Sequence, residues 1–133
     1  MSLGPRVLIV DDSPTVREDL RTLLSLLEGV EVVGEASGAA GAIPLTIEVA
    51  PDVIIIDLEM GGSASAELDG LQAIRELKRV RPSASVYVLT VHGYPAARLA
   101  ALHAGADLFF IKGQDTDGLL RAIRAARVSG SSI

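Results

Sequence analysis

Residues 53–57 read Val53-Ile54-Ile55-Ile56-Asp57, four β-branched apolar residues in a row stopped by a carboxylate. A strand with one wet face alternates apolar and polar residues. A run without alternation suits a strand covered on both faces, the habit of parallel sheets. The same pattern recurs on either side. Val7-Leu8-Ile9-Val10 stops at Asp11-Asp12, Val86 to Leu89 stops at Thr90, and Leu108 to Ile111 stops at Lys112. Val30 to Ala36 mixes charge with small apolar residues, which predicts an edge strand.

Helical periods lie between these runs. Ser13 is a good N-cap and Pro14 suits the first helical position. Val16, Leu20, Leu23, Leu24 and Leu27 follow at helical spacing, with Arg17, Glu18 and Arg21 on the polar side. Gly29 is expected to end that helix as a left-handed cap. Ile43, Ile47 and Ala50 keep a helical period around Pro44, which leaves a kinked helix and a helix beginning near Pro44 as alternatives. Asp69 is the expected cap of a helix with Leu71, Ile74 and Leu77 inward, broken by Arg81-Pro82. Pro95 starts a helix carrying Leu99 and Leu102, closed near Gly105, and the last helix is expected from about Asp115 to Val128 with Leu119, Ile123 and Ala126 inward. Five strands alternating with five helices predict an α/β fold: a doubly wound, five-stranded parallel sheet with helices on both faces, the flavodoxin-like (βα)5 sandwich.

Composition narrows the function classes. The chain has 133 residues, enough for one domain with a sizeable core, and 49% of them are hydrophobic, which excludes intrinsic disorder. It has no cysteine, so disulfides, thiolate metal sites and cysteine nucleophiles are excluded. Seventeen acidic against 12 basic residues give a net charge of -5, and the chain has no Trp, two Phe and two Tyr. That is a poor surface for phosphate backbones and for base stacking, so no direct nucleic-acid binding is expected. No apolar run reaches membrane-spanning length and no secretion signal opens the chain, so a cytoplasmic domain with no membrane contact is expected. Residues 5–129 are expected to form the domain, with 1–4 a disordered N-terminus or cloning scar and 130–133 a disordered tail.

The chemistry gathers at strand ends. In open α/β sheets the functional crevice lies beyond the carboxyl ends of the strands, where Asp11, Asp12, Asp57, Thr90 and Lys112 all fall. Two carboxylates about 4 Å apart repel by roughly 4 kcal/mol at a surface-like dielectric, so three together call for a cation. Mg²⁺ suits them, being a hard ion that takes carboxylates, waters and a phosphate. A lysine ammonium and a hydroxyl can hold phosphoryl oxygens, and one carboxylate can then act as nucleophile to give an aspartyl phosphate. Asp57, ending the most buried strand, is the best candidate. Taken singly, an Asp after a strand is usually a turn or cap residue, and Thr90 or Lys112 alone reads as structural or solvated. Their joint placement at one sheet edge reverses that reading.

Together the segments VLIVDDSPTVR, VVGEA, PDVIIIDLEM, DGLQAIRELK, VLT and AGADLFFIK make the chain resemble the receiver domain of bacterial two-component response regulators, from about Pro5 to Val128. The resemblance implies that Asp57 is the phosphoacceptor, that Asp12 ligates Mg²⁺ directly and Asp11 through water, and that Glu59 offers the metal its backbone carbonyl. It implies that Thr90 and Lys112 hold the phosphoryl oxygens. Phe109 matches the aromatic switch position, which fills space vacated when Thr90 moves inward; an ordinary core aromatic is the plainer reading. Glu59 and His92 match positions that tune dephosphorylation, although His92 also reads as an exposed loop histidine. His103 reads as a surface residue. Arg121, Arg124 and Arg127 read as a solvated face, with a partner or dimer surface as the alternative. The implied partners are a histidine kinase or phosphotransfer protein as donor, an output domain or target protein as reader, and a second copy of the chain as a homodimer. The protein would act as a phosphoacceptor that loses its phosphoryl group slowly, not as an enzyme with turnover.

Some residues depart from the family pattern. Receivers usually carry Pro after the methionine that is Met60 here; this chain runs from Gly61 to Leu68 before Asp69-Gly70, which predicts a longer, flexible loop beside the site. Val91 replaces a small residue and is expected to narrow access to Asp57. Gly113 replaces the frequent Pro after Lys112. Two other functions use similar parts. A haloacid-dehalogenase-type phosphatase also forms an aspartyl phosphate, but resembles D-x-D after the first strand, whereas this chain has Asp11-Asp12-Ser13. A flavodoxin-like cofactor binder would need a phosphate loop after Val10, which is absent. For the output, no effector domain is expected within the residues after the last helix. The expectation is a stand-alone receiver or a piece of a longer regulator, with transcription-factor and chemotaxis-type receivers both matching.

Overall fold

The structure is a computed structural model that describes residues 4–59, 66–91, 93–126 and 128. Strands and helices alternate: β1 (Arg6–Val10), α1 (Pro14–Ser25), β2 (Glu31–Ala36), α2 (Ala39–Val49), β3 (Val53–Ile56), α3 (Ala66–Val80), β4 (Ser85–Thr90), α4 (Pro95–Ala104), β5 (Leu108–Ile111) and α5 (Thr116–Arg124). The five strands form one parallel sheet in the order β2-β1-β3-β4-β5. The predicted fold class is what the chain adopts, with β2 at the edge.

Successive side chains of a strand point to opposite faces, so the continuous apolar runs feed two cores. Leu8, Val10, Ile54, Ile56, Val86 and Val88 pack with α3 and α4 residues such as Ile74, Leu77 and Ala101 on one face. Val7, Ile9, Val53, Ile55, Tyr87 and Leu89 pack with Leu20, Leu24, Leu119 and Ile123 on the other. The central strand β3 is at most 1% exposed along its length, which explains why its sequence shows no alternation.

Several helix limits differ from expectation. Helix α1 ends at Ser25 rather than Gly29, because its last turn tightens onto i→i−3 bonds from Leu26 to Leu23 and from Leu27 to Leu24. Gly29 is left-handed (φ 85°), but it closes the turn into β2, where its carbonyl accepts the Gly4 N–H. Helix α2 runs through Pro44; Ala40, whose carbonyl lacks a donor there, and Pro44 itself are exposed, so water can take the bond. Helix α3 starts at Ala66, three residues before the expected cap Asp69, in a good helix-forming stretch. The Asp69-Gly70 pair marks a close approach instead: a Cβ at position 70 would collide with the carbonyl of Leu58. Helix α4 turns Ala97, Ala101 and Ala104 inward and leaves Leu99 59% and Leu102 38% exposed, so small residues, not leucines, face the sheet. Helix α5 stops at Arg124 rather than Val128: Ala126 bonds i→i−3 to Ile123, and the alanines at 125 and 126 offer little to pack another turn. Residues 1–3, 60–65 and 129–133 lie outside the described residues, as do His92 and Arg127; of the loop expected from Gly61 to Leu68, residues 66–68 belong to α3 instead.

Ala50, the C-cap of α2, is left-handed at φ 48° and is the one non-glycine with positive φ among the described residues. Arg6 holds it there, donating from Nη1 to the carbonyls of Val49 at 2.6 Å and Ala50 at 2.9 Å. An alanine in this region costs about 1–2 kcal/mol, and glycine's extra unfolded-state entropy returns part of that. Ala50→Gly is therefore expected to stabilise the domain by about 0.5–1 kcal/mol. A raised urea midpoint with unchanged slope checks it; a lowered midpoint contradicts it.

Candidate functional site

Parallel pairing carries five chemical residues to one edge of the sheet, and backbone bonds beyond the strands fix them there. Asp11 N–H donates to Ala36 O at 3.0 Å, Asp57 N–H to Val10 O at 3.0 Å, and Lys112 N–H to Thr90 O at 2.7 Å. The ladder thus extends one residue past β1, β3 and β5, aligning Asp11, Asp57 and Lys112 with Thr90, the last residue of β4.

Asp11, Asp12 and Asp57 each present a carboxylate oxygen, and these oxygens lie within 4.8 Å of one another. Asp11 and Asp57 are buried at 2% and 6% exposure, while Asp12 is exposed. Lys112 reaches between the buried pair, with Nζ 3.0 Å from Asp11 Oδ2 and 3.4 Å from Asp57 Oδ2. Asp11 Oδ1 accepts the Ser13 N–H at 2.9 Å, so both its oxygens have donors. Asp57 Oδ1 accepts the Glu59 N–H at 3.1 Å, and the Glu59 carboxylate accepts the buried Thr90 hydroxyl at 3.3 Å.

Burial pushes the Asp57 carboxyl above its ordinary value, aided by the charge of Asp11; the Glu59 N–H and the Lys112 ammonium oppose the rise without cancelling it. Burial would lower Lys112, but its hydrogen bond to Asp11 and the charges of Asp57 and Asp11 outweigh that and raise it. Three carboxylates and one ammonium leave two negative charges, in oxygen-only surroundings that open toward solvent at Asp12. Such a donor set fits a hard divalent cation.

Asp11, Asp12, Asp57, Glu59, Thr90 and Lys112 therefore lie together as predicted, while His92 lies outside the described residues. Phe109 is buried at 9% in the core cluster that contains Ala97 and Ala101 of α4. Val91 stands 55% exposed directly after Thr90. His103 is exposed, as expected, and so are Arg121 and Arg124. Arg17, expected on the polar side of α1, turns toward the site instead. Its side chain is 19% exposed, with Nη1 donating to the Asp11 carbonyl at 2.5 Å and Nε to Glu35 at 3.1 Å. The available signal was positional: Arg17 lies one helical turn after the cap Ser13, level with the Glu35 end of the neighbouring strand.

The model of the response regulator receiver domain family matches residues 7–124. The nitrate/nitrite response regulator NarP of Escherichia coli K12 is 40% identical over 128 residues, covering 96% of this chain and 57% of NarP. The chemotaxis protein CheY of Thermotoga maritima is 34% identical over 110 residues, covering 83% of this chain and 87% of CheY. Among solved structures, the isolated receiver domain of RcsB from Salmonella enterica serovar Typhimurium, with the phosphomimetic BeF₃⁻, is 31% identical with a TM-score of 0.79, covering 98% of this chain and 92% of that one. The chain spans about half the length of NarP and the other nitrate/nitrite regulators it matches. These matches lend the haloacid-dehalogenase reading no support. Among the described residues no helix is long and apolar enough to cross a membrane.

Proposed function

The chain belongs to the response regulator receiver family, and on that footing we propose that it takes a phosphoryl group onto Asp57 from a histidine kinase or phosphotransfer protein, in a Mg²⁺-dependent reaction. The observation that carries this is the convergence of Asp11, Asp12 and Lys112 on a buried Asp57 at the end of the central strand. Asp12 and Asp57 would hold the ion directly, Asp11 through water, and Glu59 through its backbone carbonyl. Bound Mg²⁺ would neutralise charge on the incoming phosphoryl oxygens. An Asp57 oxygen forms the new O–P bond as the N–P bond of a phosphohistidine breaks, the imidazole nitrogen keeping the electron pair. Lys112, already 3.4 Å from Asp57, is placed to hold one non-bridging oxygen.

Thr90 supplies the switch. Its hydroxyl donates to Glu59 in this structure and would turn to the phosphoryl group once that stronger acceptor is present. The β4–α4 connection then repacks around Phe109, shifting an existing equilibrium. The apolar side chains this region exposes, Tyr94, Leu99 and Leu102, are what an output domain, a target protein or a second copy would read. On the donor side, a shallow apolar recess lined by Val16, Leu20, Leu23 and Leu119 opens beside Lys112 and suits a docking helix. NarP is a nitrate/nitrite response regulator and CheY a chemotaxis protein, so both transcriptional and chemotaxis-type outputs fit the family. A cytoplasmic location fits a partner kinase's phosphohistidine. Glu59 and His92 remain candidates for tuning the slow loss of the phosphoryl group.

Incubation with Mg²⁺ and acetyl phosphate or phosphoramidate, read by intact mass, tests the reading. One phosphoryl adduct is expected with Mg²⁺ and none after chelation. Failure with both small donors and with a phosphorylated histidine kinase overturns it. Val91 follows Thr90 and is exposed; if it narrows access to Asp57, Val91→Ala is expected to speed acetyl-phosphate labelling about two- to fivefold, the equivalent of about 0.4–1 kcal/mol of barrier. An unchanged or slower rate would remove Val91 from the access path.

A further inference from the structure

We propose that Arg17 is a positioning residue for the cation site: braced by Glu35, it fixes the peptide unit between Asp11 and Asp12, from which two of the three carboxylates project. The inference rests on the metal reading above.

The loop from Asp11 to Ser13 carries both first-strand carboxylates. The Asp11 side chain is fixed by its own donors, Ser13 N–H at 2.9 Å and Lys112 at 3.0 Å. Asp12 is exposed, and the backbone beneath it sets the point from which its carboxylate projects. That backbone is pinned through the Asp11 carbonyl, which accepts Arg17 Nη1 at 2.5 Å. Arg17 is itself held, because Nε donates to Glu35 Oε1 at 3.1 Å. Glu35 sits on β2 opposite Ile9 of β1, so the brace is anchored in the sheet. Mg²⁺ demands near-octahedral ligands at short distances, and a small tilt of this peptide would misplace Asp12.

Charge and position predict opposite signs. Arg17 is a cation beside the site, and by Coulomb repulsion alone its removal should tighten Mg²⁺ binding. As a brace, its removal should weaken binding despite that gain. Arg21 is the matched control: it bonds the same Glu35 but is 50% exposed and sits one helical turn farther along α1, and its removal leaves both Arg17 bonds in place.

The test is titration calorimetry of Mg²⁺ into the metal-free full chain. Arg17→Ala is expected to raise Kd about tenfold, the low end for loss of a group that orients metal ligands. Arg21→Ala should stay within about twofold of wild type, as suits an exposed charge. Arg17→Lys, which keeps a donor for the carbonyl but cannot span both acceptors, should fall between. Arg17→Ala binding as tightly as wild type, or more tightly, overturns the inference while leaving the metal reading intact. A wild-type chain with no saturable Mg²⁺ binding overturns the metal reading and this inference with it. If Arg17→Ala shows no cooperative melting transition, Arg17→Lys carries the test under the same sign.

Discussion

Metal-free protein carrying Asp57→Asn is expected to melt at a higher temperature than wild type at pH 7 and to take up no phosphoryl group. Burial holds the Asp57 carboxyl above its usual 3.8, so the folded state binds that proton more tightly than the unfolded chain does. Stability from this group is then present at acid pH and is lost as pH rises from the unfolded value through the raised folded one. At pH 7 the ionised carboxylate is a net cost, one that a neutral amide of the same shape avoids. The stability gain should shrink as pH falls toward 4 and should shrink again when Mg²⁺ is added, since bound cation stabilises only a site that holds it. Thermal melts of both proteins across pH, with and without Mg²⁺, check this. A lower melting temperature for Asp57→Asn at pH 7 would contradict it.

Lys112→Ala should have the opposite effect on stability and the largest effect on phosphotransfer. The ammonium bonds two buried carboxylates, and its pKa is raised because these outweigh the cost of its burial. Its contribution is therefore fully present below the unfolded value of 10.5, hence at neutral pH, and is lost as pH rises through the higher folded value. Breaking a fully buried pair costs about 3–5 kcal/mol; with the side chain 19% exposed, about 1–3 kcal/mol is the expected loss. The remaining carboxylates, no longer sharing an ammonium, should bind Mg²⁺ about tenfold tighter. Labelling by acetyl phosphate should nevertheless slow by about 10²-fold, because a group placed for the phosphoryl oxygens is gone. Tighter metal binding with slower transfer is the signature to look for. Unchanged transfer would remove Lys112 from the chemistry.

How far the sequence carried the reading depended on what each residue interacts with. Strands buried on both faces leave an unbroken apolar run, and the polar residue that stops each run marks the strand's carboxyl end. That is why the sequence alone places Asp11, Asp57, Thr90 and Lys112 together. Arg17 carries no such mark: its bond to the site is to a main-chain carbonyl, which every residue possesses, and only its position level with Glu35 points to it. The start of α3 was hidden because Asp69-Gly70 carries the signature of a cap, while the glycine in fact serves close packing against Leu58. The leucines of α4 looked like a core face, but alanines let that helix sit closer to the sheet. Helical spacing identifies an apolar stripe without saying which side of it is covered.

The central claim is that Asp57 carries the phosphoryl group, and reduction of the labelled chain with borohydride tests it most directly. The reagent converts an aspartyl phosphate to homoserine, which peptide mass spectrometry locates. Homoserine at position 57, formed only when Mg²⁺ and donor are both present, is the predicted result. Conversion at Asp11 or Asp12 instead, or a phosphoryl group retained on a hydroxyl and untouched by reduction, would contradict it.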